Sequence, residues 1–245
     1  MPASLNIMWS IGRSDGPAPD QALPLPVEVR AIRSARRMRL RIDERRMVLK
    51  LTCPARVGRK AALAWAAEQR DWVERQLAAI EPGEPFVPGA VIPFEGRDVT
   101  LGWSSCWPRT PVLAIDLLSC GGPLEGFAAR VERFLKQRAL ALLQAETAEF
   151  AELAGVDVRA VSIGDAGTRW GSCSSAAHIR FNWRLVLAPA DARRFVVAHE
   201  VAHLVHLNHG PQFKVLERRL FGADPAEARA LLRRVGPRLK RIGRA

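Results

Sequence analysis

Four of the chain's five histidines fall between residues 199 and 209, and this cluster constrains the fold more than any other feature. The segment reads His199-Glu200-Val-Ala-His203 and lies in an apolar stretch that predicts a helix. Residues four apart share one helical face, so His199 and His203 can bind the same ion. The H-E-x-x-H pattern therefore predicts a helix that holds a metal ion, with Zn²⁺ expected because imidazoles suit it.

Glu200 follows the first histidine and is turned by about 100° around the helix axis. Its carboxylate can then reach a metal-bound water without binding the metal itself. Zinc lowers the pKa of such a water to about 7, and the carboxylate removes its proton so that the water attacks a carbonyl. The motif thus predicts a zinc hydrolase with Glu200 as general base.

A third ligand is needed, and His206 is poorly placed to be it. It lies two helical turns beyond His199, a rise of about 10 Å, which is too far for both to meet one ion with His203. The third ligand is therefore expected after the helix ends, near Leu207.

His209 is the favoured third ligand, giving one zinc ion per chain. Its neighbours Asn208 and Gly210 are residue types that tolerate left-handed backbone, so the chain can fold back toward the metal there. The competing ligand is a carboxylate from a later helix, either Glu217 or Glu227.

Two absences narrow the class of peptidase. Metzincins share this histidine spacing, but they have Gly where this chain has His206 and need a downstream Met-turn, whereas all four Met lie at or before residue 47. The chain has no Tyr, so an oxyanion must be stabilised by another donor. The candidates are a backbone N–H, His178 and, as possible oxyanion or substrate contacts, His206, Arg169 and Asn182.

A predicted hairpin precedes the histidine helix, with strands over 168–174 and 179–187. Gly171 within a strand suggests a bulge or a close backbone approach. If the hairpin borders the cleft, its edge can pair with an extended peptide; alternatively Trp170 and Trp183 are ordinary core residues. Cys173 is expected to be a small buried residue rather than an extra ligand.

Three regions are expected along the chain: a Pro/Gly-rich tail over 1–26, a β-rich region with one helix over 27–122, and the catalytic region over 123–245. In the second, alternation of apolar residues over 38–51 predicts a hairpin with an Arg-rich face, followed by a helix over 59–80 and short strands over 86–103. In the third, helices are expected over 124–153 and 191–207 (with Asp191 as N-cap), and from Pro211 and Asp224 onward.

The formal net charge of +12 is concentrated in two segments. Residues 28–60 hold 12 basic and 3 acidic groups, and residues 214–245 hold 10 basic and 3 acidic groups. These segments are either two solvated faces or an anion-binding surface. The chain has no run of 18 apolar residues and its N-terminus does not resemble a secretory signal, so no membrane partner and no secretion are expected. The four Cys are scattered and form no C-x-x-C, which is typical of a reducing compartment. A cytoplasmic protein is therefore expected.

Four runs resemble the YgjP-like metallopeptidase domain family: R-W-G-S-C-S, I-R-F-N-W-R-L-V-L-A-P, F-V-V-A-H-E-V-A-H-L and N-H-G-P-x-F. The similarity to this family is dense over 155–213 and weaker over the rest of 27–240. The chain also resembles, more distantly, the SprT-type zinc peptidases. The resemblance implies zinc ligands His199, His203 and His209 with Glu200 as base. Gly210 and Lys214 stand where the family usually has Ser and Trp.

These observations predict an α+β, zincin-like protein whose active-site helix packs under a small, mostly antiparallel sheet containing the strands of Arg169 and Arg184. The expected function is zinc-dependent hydrolysis of peptide bonds in a peptide or protein substrate. The alternative is a nucleic-acid-associated protein with a basic surface, including a protease that acts on DNA-bound proteins.

Overall fold

The structure is a computed structural model that describes residues 23–44 and 46–244. The chain forms two compact units, Met1–Glu81 and Pro82–Ala245, and each is described by itself. Most of the predicted N-terminal tail, residues 1–22, lies outside the described residues. Leu23, near the end of that segment, is buried in the core of the first unit.

The first unit is a three-stranded sheet packed against two helices. The predicted hairpin is confirmed: Leu40 lies opposite Leu51 and Ile42 opposite Leu49, so the apolar residues share one face. An additional strand, absent from the prediction, pairs in parallel to give the order β1-β3-β2. The strands are β1 (Val27–Ile32), β2 (Arg39–Asp43) and β3 (Val48–Pro54).

The predicted helix over 59–80 is wrong in one respect, since the structure divides it into α1 (Arg59–Glu68) and α2 (Arg70–Ala78). Gln69 leaves helical geometry with φ −89° and ψ 10°, and its amide donates to Ala66 O. Ala66 and Val73, on either side of this break, are both buried in the core of the unit.

The second unit contains a four-stranded sheet with the order β4-β5-β7-β6. Its strands are β4 (Val91–Phe94), β5 (Arg97–Trp103), β6 (Val112–Ala114) and β7 (Leu117–Cys120). The strands and turns predicted over 86–103 are confirmed, and Gly89 and Gly96 have φ of +84° and +85°. Phe94, Leu101 and Leu118 pack in one core with the helices, so residues 82–122 group with the second unit here rather than with the N-terminal region.

The sheet nearest the histidine helix has three strands, β8 (Ala160–Gly164), β9 (Gly171–Cys173) and β10 (His178–Asn182). β10 pairs antiparallel with β9 but parallel with β8, so this sheet is mixed rather than mostly antiparallel. Arg169 and Arg184 also lie outside the strands, contrary to the prediction. The Asn182 side chain accepts the Arg184 N–H and starts a 3₁₀ turn over Trp183–Leu187, which ends the strand early.

Four helices complete the second unit: α3 (Phe127–Ala154), α4 (Ala190–Val205), α5 (Pro211–Phe221) and α6 (Pro225–Arg241). Gly155 ends α3 in left-handed geometry, and the Asp224 carboxylate caps α6. Asp191 is not the cap of α4 as predicted. Pro189 occupies that position, because its extended backbone lets the helix begin two residues earlier.

The central element of this unit is α4, which packs against α3, α5, α6 and β9. A buried ion pair between Arg193 and Glu146, 2.9 Å apart, joins α4 to α3. The described residues thus form a mixed α+β fold. None of their helices is both long and apolar enough to cross a bilayer.

Candidate metal centre

Helix α4 presents His199 and His203 on one face, one turn apart, with Glu200 turned toward β9. The helix stops at Val205, and His206 adopts extended backbone with φ −126° and ψ 108°. Most of the remaining helix surface is apolar and buried, which fixes the rotation of α4 about its axis.

The chain then folds back and places the His209 ring beside the other two. The His209 Nε2 and His199 Nε2 atoms lie 3.3 Å apart. One nitrogen from each of His199, His203 and His209 lies within 4.8 Å of the others, and no second cluster of this kind occurs among the described residues. Two zinc-bound nitrogens at tetrahedral angles are about 3.3 Å apart, so these side chains fit a zinc ion.

The other ring nitrogen of two histidines is occupied by hydrogen bonds. His199 Nδ1 lies 2.7 Å from Glu217 Oε1, and His203 Nδ1 lies 3.1 Å from the backbone oxygen of His206. Both partners are oxygen acceptors, so each Nδ1–H donates a hydrogen bond to its partner. The lone pair on Nε2 of each ring is then directed at the cluster. Burial lowers the pKa of His203 and so favours the neutral form that binds metals.

Glu217, on α5, is 3% exposed and lies outside the nitrogen cluster. Its second oxygen accepts a hydrogen bond from Arg229 of α6 at 3.2 Å. Burial alone would raise the pKa of Glu217, but the bonds to His199 and Arg229 outweigh it and leave the pKa lowered. The residue considered as a competing ligand therefore orients a ligand candidate instead.

Phe213 forms the floor of the cluster. This side chain, 1% exposed on the first turn of α5, has its ring centroid 5.1, 4.6 and 4.8 Å from those of His199, His203 and His209. It restricts the rotation of all three rings. Sequence reasoning did not assign it a role, although its position two residues after Pro211, at the start of a helix, was a usable signal.

Glu200 is 6% exposed and lies directly against the backbone of Gly171 in β9. A Cβ added to Gly171 would be 2.6 Å from Glu200 Cγ, closer than side chains tolerate. The close backbone approach predicted for this glycine is thus confirmed. Burial raises the pKa of Glu200 to about 7, against the opposing charges of His199 and Arg169.

The three predicted oxyanion or substrate contacts lie in different surroundings. Arg169 is exposed and close enough to influence the charge of Glu200. Asn182 is buried and engaged at both ends of its amide, donating to Ala166 O at 2.9 Å and accepting from the Arg184 N–H at 3.0 Å. His206 contributes its backbone oxygen to His203, and its ring is half-buried.

The remaining candidates lie outside the nitrogen cluster. Glu227 is exposed in the first turn of α6. Cys173 is half-buried at the end of β9, and burial followed by the charge of Glu200 raises the pKa of its thiol. A raised pKa disfavours the thiolate that would bind a metal.

Three comparisons with known proteins give a family for this chain. No curated protein matches the chain significantly. One solved structure, the metallopeptidase zymogen abylysin of Pyrococcus abyssi, aligns at 18% identity with a TM-score of 0.35, covering 41% of this chain and 97% of abylysin. The model of the YgjP-like metallopeptidase domain matches residues 36–234, which include the whole histidine cluster. The chain therefore belongs to the YgjP-like metallopeptidase family.

Proposed function

We propose that the protein is a zinc peptidase in which His199, His203 and His209 hold the ion and Glu200 is the general base. The observation that carries this proposal is the convergence of three imidazole nitrogens within 4.8 Å beside a buried carboxylate. When bound, zinc would supply Lewis-acid chemistry, polarising a substrate carbonyl and making water more acidic.

Glu200 is suited to move the proton. Its pKa of about 7 makes the carboxylate basic enough to accept a proton from water near neutral pH and acidic enough to release it to the leaving amine. Gly171 restricts the carboxylate on one side and holds it facing the cluster.

The substrate would lie along β9. This strand is at the edge of its sheet and packs against α4, so its outer backbone groups are available to an extended peptide. Arg169, which precedes β9, is then the favoured oxyanion donor over His206. The side-chain amide of Asn182 already makes two hydrogen bonds within the protein.

A decisive experiment compares wild type with Glu200→Gln on a peptide library derived from a whole proteome. The variant should retain one zinc per chain and lose cleavage by about 10²- to 10⁴-fold, because only the proton acceptor is removed. Cleavage is read by mass spectrometry and zinc by elemental analysis.

Glu227→Gln is the matched control, since Glu227 is exposed and is not part of the nitrogen cluster. It should leave cleavage unchanged. Undiminished turnover in zinc-loaded Glu200→Gln protein would contradict the proposed role of Glu200.

We also propose that the protein acts in a reducing compartment such as the cytoplasm. All four cysteines are free thiols, two buried, one half-buried and one exposed. Such thiols persist where disulfides are kept reduced.

A further inference from the structure

The outer face of the first unit's sheet is rich in arginine. On β2 and its N-terminal extension, Arg37, Arg39 and Arg41 alternate with apolar residues that point into the core, so these three share the outer face. Arg30 of β1 joins them, because Arg30 and Arg39 both lie opposite Thr52 of β3. Adjacent strands are about 4.8 Å apart, so the backbones of Arg30 and Arg39, on the two strands that flank β3, are about 10 Å apart.

Three loop arginines extend this face at one end of the sheet. Since β1 and β3 run in parallel and β2 runs against them, the ends of β1 and β3 and the start of β2 meet there. The segments that leave this end carry exposed Arg33, Arg36 and Arg56. We call the whole set the arginine face: Arg30, Arg33, Arg36, Arg37, Arg39, Arg41 and Arg56.

The two acidic residues of the sheet lie near this face but are already paired. Glu28 is level with Arg41, since both lie opposite Lys50 of β3, and Asp43 follows Arg41 by two residues on β2. Glu28 accepts two hydrogen bonds from Arg46, and Asp43 forms an ion pair of 2.6 Å with Lys50. Within the described residues, no member of the arginine face has an acidic partner within ion-pair distance. The two acids are thus occupied by Arg46 and Lys50, and the arginine face keeps its charge.

The second basic segment behaves differently, because half of its ten basic residues form ion pairs inside the second unit. Five of its arginines form ion pairs with nearby acids: Arg218, Arg229, Arg238, Arg241 and Arg244. Residues 1–81 hold 15 basic and 9 acidic groups and residues 82–245 hold 22 and 16, so each unit has a net charge of +6, and the first unit carries it on about half as many residues.

We propose that the arginine face binds a double-stranded nucleic acid through its phosphates. Seven exposed guanidinium groups that form no ion pair among the described residues match a polyanion, and each can bind a phosphate in bidentate fashion. Residues 27–56 contain no aromatic side chain, so the face offers no platform on which unpaired bases would stack. A duplex, whose bases are already stacked and whose phosphates face outward, is the partner this chemistry fits.

The test is fluorescence anisotropy of the full-length protein with a labelled 20-base-pair DNA of arbitrary sequence, titrated at several salt concentrations. Replacing Arg30, Arg37 and Arg39 by Gln should lower the slope of log K against log salt by about 2.7, at about 0.9 for each lost phosphate contact. At about 0.1 M salt the affinity should fall on the order of a hundredfold.

The matched control replaces three exposed basic residues on the helices of the same unit, Arg59, Lys60 and Arg75, by Gln. It removes the same charge and should change the slope by less than one. Circular dichroism of both triple variants verifies that the unit is folded. The single strand of the same DNA should bind more weakly than the duplex.

Three outcomes would overturn the proposal. Equal loss in the two triple variants would mean that only net charge matters. Preference for the single strand would mean that bases are contacted. Binding to vesicles containing phosphatidylserine, with none to the duplex at low salt, would identify an anionic membrane surface as the partner.

Discussion

At the scale of single residues, Gly171 has the most demanding role in the candidate site. Its α-carbon faces the Glu200 side chain with no room for a methyl group. A larger residue there must displace the carboxylate from this position. The same contact explains why a glycine interrupts a strand that is otherwise suited to larger residues.

Gly171→Ala should therefore reduce peptide cleavage by about a hundredfold while leaving zinc in place, because displacement of a reacting group by about 1 Å has that cost. Cleavage and zinc content are measured on the same preparation. Gly167→Ala is the control, since an added Cβ at Gly167 meets nothing within 4 Å. Equal activities in the two variants would show that Glu200 tolerates the displacement.

At the scale of elements, the site depends on how α4, the following loop and α5 meet. Helix α4 supplies two histidines, the loop supplies His209, and α5 supplies both Phe213 and Glu217. The contacts of Phe213 with all three rings and of Glu217 with His199 couple the position of α5 to the geometry of the cluster.

This arrangement predicts two grades of zinc loss. His209→Ala removes a proposed ligand and should lose most bound zinc, whereas Glu217→Ala removes only the partner of His199 and should weaken zinc binding by about 10- to 100-fold. Competition with a chelator of known affinity measures both. If His209→Ala kept stoichiometric zinc while Glu217→Ala lost it, Glu217 would be the third ligand.

At the scale of the whole molecule, two units with separate hydrophobic cores carry different candidate functions. The histidine cluster and its supporting contacts lie entirely in the second unit. The arginine face lies entirely in the first. Zinc binding is therefore expected to stabilise only one of them.

Removal of zinc by a chelator should reduce amide-exchange protection in the C-terminal half of α4, the loop after it and the start of α5. Zinc at 100 times its dissociation constant contributes about 2.7 kcal/mol of stability, which is lost on chelation. Protection in β1, β2 and β3 should stay unchanged, as measured by hydrogen-exchange mass spectrometry. A similar loss in those strands would show that the units do not respond separately.

Features set by near neighbours in the sequence were predictable. The i, i+4 spacing of His199 and His203 needs only a helix to place them together, and the hairpin over 38–51 needs only alternation and a turn. The return of His209 to the cluster was also anticipated, because the helix had to end before it. The assignment of these histidines to zinc remains a prediction from spacing and family membership.

Features set by distant segments were decided only by the tertiary structure. Spacing in the sequence left Glu217 as a competing ligand, and only the packing of α5 on α4 shows that it bonds to His199. The parallel pairing of β1, the change of axis at Gln69 and the mixed sheet beside the site also depend on which surfaces become buried together. The net charge was fixed by composition, but only the folded structure pairs Glu28 with Arg46 and Asp43 with Lys50 and leaves the arginine face without ion pairs. The physical reason is that neighbours across a sheet are set by strand pairing rather than by sequence order.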